Sequence, residues 1–113
     1  MPSRDWRFRI QDILECMERT ADYTAGMTYE TFRDNQLVID AVVRNLEVIG
    51  EAARHIPEQI QKQFPDVPWV EMKGMRNILI HEYFGVSLEI VWQTVKENLP
   101  PVEPKLKELL QLG

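Results

Sequence analysis

Arg76, Asn77 and His81 carry side chains whose types and spacing suit work on a phosphodiester. Arginine supplies permanent charge and planar donors that match phosphate oxygens. Histidine both takes and gives a proton near neutral pH. Asparagine can hold a reactant or orient the imidazole. On a helix, residues four apart share a face, so Asn77 and His81 stack. Arg76 and Tyr83, seven apart, fall on a neighbouring stripe with Met72, Met75 and Leu79, which Trp69 and Ile80 extend. An arginine inside an apolar stripe is costly unless its guanidinium finds a partner or water. A salt-bridged or snorkelling core arginine accounts for Arg76 taken alone. A histidine near a helix end is commonly structural or a helix-end cation. The site reading gains weight from the combination: guanidinium, amide, imidazole and phenol around one edge, with no metal required.

The elements that must position this segment are helical. Apolar residues recur by three and four along the chain, without the alternation of strands. A first helix is expected from about Ser3, as N-cap, to Tyr23, with Trp6, Ile10, Ile13, Leu14, Met17 and Ala21 inward and Gly26 as its stop. Thr28 to Arg33 is a short helical turn. The longest helix runs from about Asp34 to His55, with Ile39, Val42, Leu46, Ile49, Ala53 and Ile56 on one side. That spacing fits burial along one face or a coiled-coil-like contact. Asp40, Arg44, Glu47, Glu51 and Arg54 form a polar row on another face. Such a row is either a solvated face of i, i+3 and i, i+4 ion pairs or the wall of a site.

Pro57 opens a short helix that ends before Phe64-Pro65. Pro68 suits the first position of the motif helix, which extends to about Tyr83 with Gly85 beyond it. Ser87 caps a helix with Leu88, Val91, Trp92 and Val95 inward, and Pro100-Pro101 breaks it. A last amphipathic piece holds Val102, Leu106, Leu109 and Leu110. The expected fold is all-α: one up-and-down helical bundle over residues 1–113.

The chain has 113 residues, 44% of them hydrophobic, which suits one domain with a real core. A net charge of −5 argues against a general nucleic-acid binder, although a local basic patch is compatible with it. Cys16 is the single cysteine, so neither an internal disulfide nor a thiolate cluster can form, and a packed thiol is expected. His55 and His81 lack metal-ligand spacing, so no metal is expected. No apolar run approaches the roughly 20 residues that span a bilayer. The reading is a cytoplasmic protein with no membrane partner and no cofactor. His55 is expected at the carbonyl end of the long helix, and Gly50 to allow close helix approach. Trp69 and Trp92 are expected in the core or an interface, Lys105 and Lys107 on the surface. Glu51 either pairs with Arg76 across packed helices or sits in solvent.

Arg76-Asn77-x-x-x-His81 resembles the motif of the HEPN superfamily. The longer R-x4-H-x-Y string, Arg76 to His81-Glu82-Tyr83, is similar to that of the HepT family within it. Ile49-Gly50-Glu51-Ala52-Ala53, Trp69 through Met72 to Met75, Tyr83-Phe84-Gly85 and Trp92 leading to Leu99-Pro100 fall in that family's order.

The resemblance implies a homodimeric HEPN-like fold and a metal-independent endoribonuclease. It would be the toxin of a type VII pair, encoded beside a minimal nucleotidyltransferase antitoxin of the MntA kind. Motif residues of two protomers would meet in a cleft, which would explain Arg76 in an apolar stripe. His81 would act as general base or acid, Arg76 would stabilise transition-state charge, and Asn77 would orient His81 or a phosphate oxygen. The substrate would be RNA, such as a tRNA or mRNA. AMP transfer to Tyr83 would silence the cleft by bulk and charge. Glu51 is a supporting candidate. From a different functional class, the alternative is a non-catalytic HEPN dimer that binds nucleotide or a nucleotidyltransferase partner.

Overall fold

The computed structural model describes residues 5–81 and 87–112, apart from the side chains of 76–81 and 112. Helix α1 (Trp6–Tyr23) starts later than expected. Asp5 caps it, accepting from the Arg7 amide at 2.9 Å. A carboxylate satisfies that amide and also places negative charge at the positive helix end. Ser3 lies outside the described residues. The inward face carries Ile10, Ile13, Cys16, Met17 and Thr20. Threonines, not Ala21, continue it: Ala21 is exposed, whereas Thr20 and Thr24 are buried. Their hydroxyls donate to the carbonyls of Met17 and Thr20, each at 2.8 Å, which removes the cost of burying them.

Gly26 turns the chain with φ 74°, a conformation that a side chain would strain. Helix α2 (Tyr29–Arg33) opens with a reciprocal cap. The Thr31 amide donates to Thr28 Oγ1 at 3.2 Å, and the Thr28 amide to Thr31 Oγ1 at 2.9 Å. Its Phe32 is fully buried.

Helix α3 (Gln36–Arg54) is the centre of the molecule, packed by α1 and by α5 (Trp69–His81). Asn35 caps it through a 3.1 Å bond from the Val38 amide, so it begins two residues after the expected Asp34. Two packed neighbours explain why its buried surface exceeds a single stripe. Val43, Asn45, Gly50 and Ala52 are buried beside Ile39, Val42, Leu46, Ile49 and Ala53. At 100° per residue these positions cover roughly half the helix circumference. Buried Asn45 is satisfied by donating to the Ala41 carbonyl at 2.8 Å.

Helix α4 (Glu58–Gln63) follows Pro57, as expected. Helix α6 (Leu88–Gln93) is capped by Ser87 and runs into a π-helical turn, Thr94–Asn98. In that turn the Leu99 amide reaches the Thr94 carbonyl at 2.9 Å, five residues back. Trp92 packs tilted on Phe32 at 5.1 Å and edge-on to Tyr29 at 6.4 Å. After Pro100-Pro101, helix α7 (Val102–Leu112) buries Leu106 and Leu109, closing the core beside α1. The domain is all-α, with seven α-helices among the described residues, and none of them is long and apolar enough to cross a membrane.

Candidate functional site

The start of α5 is tightly held. Trp69, 5% exposed, donates its indole Nε1 to the Phe64 carbonyl at 3.0 Å. The Met72 amide donates to the Pro68 carbonyl at 3.0 Å, which makes Pro68 the residue before the helix and not its first turn position. A proline lacks the N–H that a cap position leaves unused, so either place tolerates it. Lys73 Nζ donates to Gln61 Oε1 at 3.0 Å, tying α5 to α4. Met72 is buried against the core, and Met75 is half-buried.

This anchored helix carries Arg76, Asn77 and His81 in one unbroken backbone register. Asn77 and His81 stand four residues apart, about 6 Å along the axis. The side chains of Arg76, Asn77 and His81 lie outside the described residues. So do Tyr83 and Gly85, and with them the expected end of the helix.

On α3, Glu51 is half-exposed. It lies 3.1 Å from His55 Nε2 and 3.7 Å from Arg54 Nη1. His55 therefore directs its ring to a carboxylate one turn back, not to the helix-end carbonyls expected of it. A carboxylate within reach is a stronger acceptor than a neutral helix-end carbonyl. Glu51 also shares a recess between α1 and α3 with Arg9, Asp12 and Arg44. The polar row thus has both characters: Arg44 meets Glu47 at 3.7 Å as a surface ion pair, and the same row walls a concavity.

Arg9 and Asp12 had no signal in the sequence. They lie far from Arg44 and Glu51 along the chain, and only helix packing brings them together. A second concavity, about 220 Å³, is apolar and lies where Leu46, Met72, Met75, Val91 and Leu99 converge. Cys16 is buried, and burial pushes its thiol pKa up, so it is a packed thiol as expected. Among the described residues no three His, Cys, Asp or Glu side chains are grouped to hold a metal.

The Ribonuclease HepT-like family model matches residues 13–109. The chain belongs to the HepT-like ribonuclease family. A Methanocaldococcus jannaschii protein named "Putative RNase" is 42% identical over 111 residues, covering 98% of this chain and 92% of that one. The "Probable ribonuclease HepT" of Thermococcus cleftensis is 40% identical over 100 residues, 88% of this chain and 91% of its own. A longer M. jannaschii protein, named "Gamma-glutamylcyclotransferase and putative RNase", is 33% identical over 108 residues, which are 96% of this chain and 49% of that one. No solved structure matches the chain. Family membership makes this HepT-like domain a ribonuclease, as the motif had suggested.

Proposed function

We propose that this HepT-like domain is a metal-independent endoribonuclease whose catalytic group is Arg76, Asn77 and His81. The observation that carries the reading is their placement on one unbroken helix, firmly anchored at Trp69, in a member of a ribonuclease family. His81 takes the proton of a ribose 2′-OH, or gives one to the leaving 5′-oxygen. The 2′-oxygen attacks phosphorus, the P–O5′ bond breaks, and a 2′,3′-cyclic phosphate and a free 5′-OH result. Arg76 stabilises the charge on the pentacoordinate phosphorus. Asn77 orients His81 or a phosphate oxygen. The need for a 2′-OH restricts the substrate to RNA, such as a tRNA or mRNA.

In this proposal the enzyme is a homodimer whose two motif helices share a cleft. Two copies of Arg76 and His81 then focus positive potential on an otherwise acidic protein. It is the toxin of a type VII pair, and the partner minimal nucleotidyltransferase silences it by AMP transfer to Tyr83.

The test incubates purified protein with RNA in chelator and compares His81→Ala and Arg76→Ala. Cleavage by the parent and loss of at least a hundredfold in each variant is expected. Equal activity in all three would reject the catalytic assignment, and no cleavage by the parent would favour a non-catalytic, nucleotide-binding dimer. Co-expression with the nucleotidyltransferase should add AMP mass to the parent and none to Tyr83→Phe. An unchanged adduct on Tyr83→Phe removes that role.

A further inference from the structure

The recess between α1 and α3 has a volume of about 280 Å³ and a lining of two kinds. Val48 and Ala52 supply an apolar wall, while Arg9, Arg44, Asp12, Glu47 and Glu51 supply charge. The Nε of Arg9 is buried and has no acceptor among the described residues. A buried guanidinium N–H without an acceptor costs free energy that a bound acceptor would recover. Arg44 approaches Glu47 only loosely, at 3.7 Å, and its side chain is 74% exposed, so its donors are accessible to a guest.

Three carboxylates line the recess beside two guanidiniums, and Arg54 already engages Glu51 at 3.7 Å, so the lining holds no cationic excess to draw in a phosphate. What fits is a neutral, flat group that presents donors on one edge and acceptors on another. Carboxylates only accept hydrogen bonds and guanidiniums only donate them. Among the four RNA bases, guanine alone offers adjacent donors, N1–H and N2–H2, to a carboxylate and adjacent acceptors, O6 and N7, to an arginine. Adenine has a single amino donor group, and each pyrimidine lacks one of the two paired edges. The apolar wall gives a base face something to lie on.

We propose that the α1–α3 recess is a guanine-binding subsite, with Arg9 and Arg44 donating to O6 and N7, an acidic neighbour accepting from N1–H and N2–H2, and Val48 and Ala52 against the ring. The inference rests on the RNA-cleaving reading for its purpose but not for its chemistry. It gives the enzyme a preference for RNA carrying a guanosine at a fixed distance from the cut. Helix α3 lies between the recess and α5, and is about 10 Å across. Roughly three nucleotides of stacked strand, at about 3.4 Å each, bridge that width.

The experiment titrates the full chain with guanosine, adenosine and cytidine, none of which can be cleaved, and follows the Val48 and Ala52 methyl signals by NMR. Guanosine should shift both methyls and bind at least tenfold more tightly than the other two. Arg9→Met should weaken guanosine tenfold or more at unchanged fold. Arg44→Gln, at an exposed position, should weaken it as well, and covers the case in which Arg9→Met does not fold. Equal binding of the three nucleosides, silent methyls, or guanosine affinity unchanged in Arg44→Gln overturns the proposal. Cleavage mapping keeps the two readings apart. An active nuclease without guanosine preference refutes the subsite alone. A protein that binds guanosine yet cuts no RNA refutes the catalytic reading alone.

Discussion

Replacing Lys96 by methionine should cost this domain about 1.5 kcal/mol of stability. Lys96 belongs to the π-helical turn, and its Nζ donates to the Thr24 carbonyl at the end of α1, at 3.1 Å. The same ammonium lies 5.1 Å from the centre of the Trp92 ring. Methionine keeps a stem of similar reach against that ring and removes only the charge and the donor. The Thr24 carbonyl also accepts from the Met27 amide at 3.0 Å, so the substitution orphans no acceptor. What is lost is one charge-assisted hydrogen bond, about 1.5–3 kcal/mol net, and a surface cation–π contact of about 0.5–1 kcal/mol. One ammonium makes both contacts, so the two figures overlap and do not add, and an exposed lysine belongs at the low end. For a domain of this size the melting temperature should fall by about 6 °C. Urea unfolding at fixed protein concentration measures the loss, with an unchanged m-value as the control. Lys96→Arg, which keeps the charge over the ring, should lose less than half as much. A Lys96→Met variant within about 0.3 kcal/mol of the parent, or an arginine variant as unstable as the methionine one, would refute the view that this ammonium clamps the end of α1 to the π-helical turn.

Three further outcomes follow from the packing and the charges. Phe32→Ala should destabilise by about 3–5 kcal/mol in denaturant unfolding, because it empties a fully buried site under Trp92. Glu51→Gln should change stability by less than about 1 kcal/mol, since its pairs with His55 and Arg54 are half-exposed; a tenfold loss of RNA cleavage in that variant would then mark a role at the site, and full activity would remove it. Cys16 should resist a thiol reagent in the native protein and react in denaturant. Its folded pKa is raised by burial, so the unfolded chain releases the thiol proton first, and stability should decline as pH climbs past the ordinary thiol value of 9.0. Cys16→Ala should flatten that alkaline slope, and an identical slope in the variant would count against the assignment.

Much of the fold was legible because a helix writes its burial into the chain at a fixed period. Trp6 to Met17, Ile39 to Ala53 and Val102 to Leu110 announce their elements, and Pro57, Gly26 and Pro100-Pro101 mark the breaks. Thr20 and Thr24 were not legible as core, because a hydroxyl counts as polar until its bond to a preceding carbonyl is seen. The π-turn at Thr94–Asn98 was hidden for a related reason: one residue of extra winding leaves the apolar spacing of Val91, Val95 and Leu99 intact.

For the site, the division follows from sequence distance. Arg76, Asn77 and His81 lie within one and a half turns, so local backbone geometry alone sets their relation, and the chain written out is enough to find them. Arg9, Asp12, Arg44 and Glu51 are brought together only because α1 packs along α3. The ring of His55 illustrates the same point at small scale: the sequence placed it at a helix end, and only the rotamer that reaches Glu51 decided its partner. Helical periodicity is encoded one element at a time, whereas a recess exists only where two elements meet.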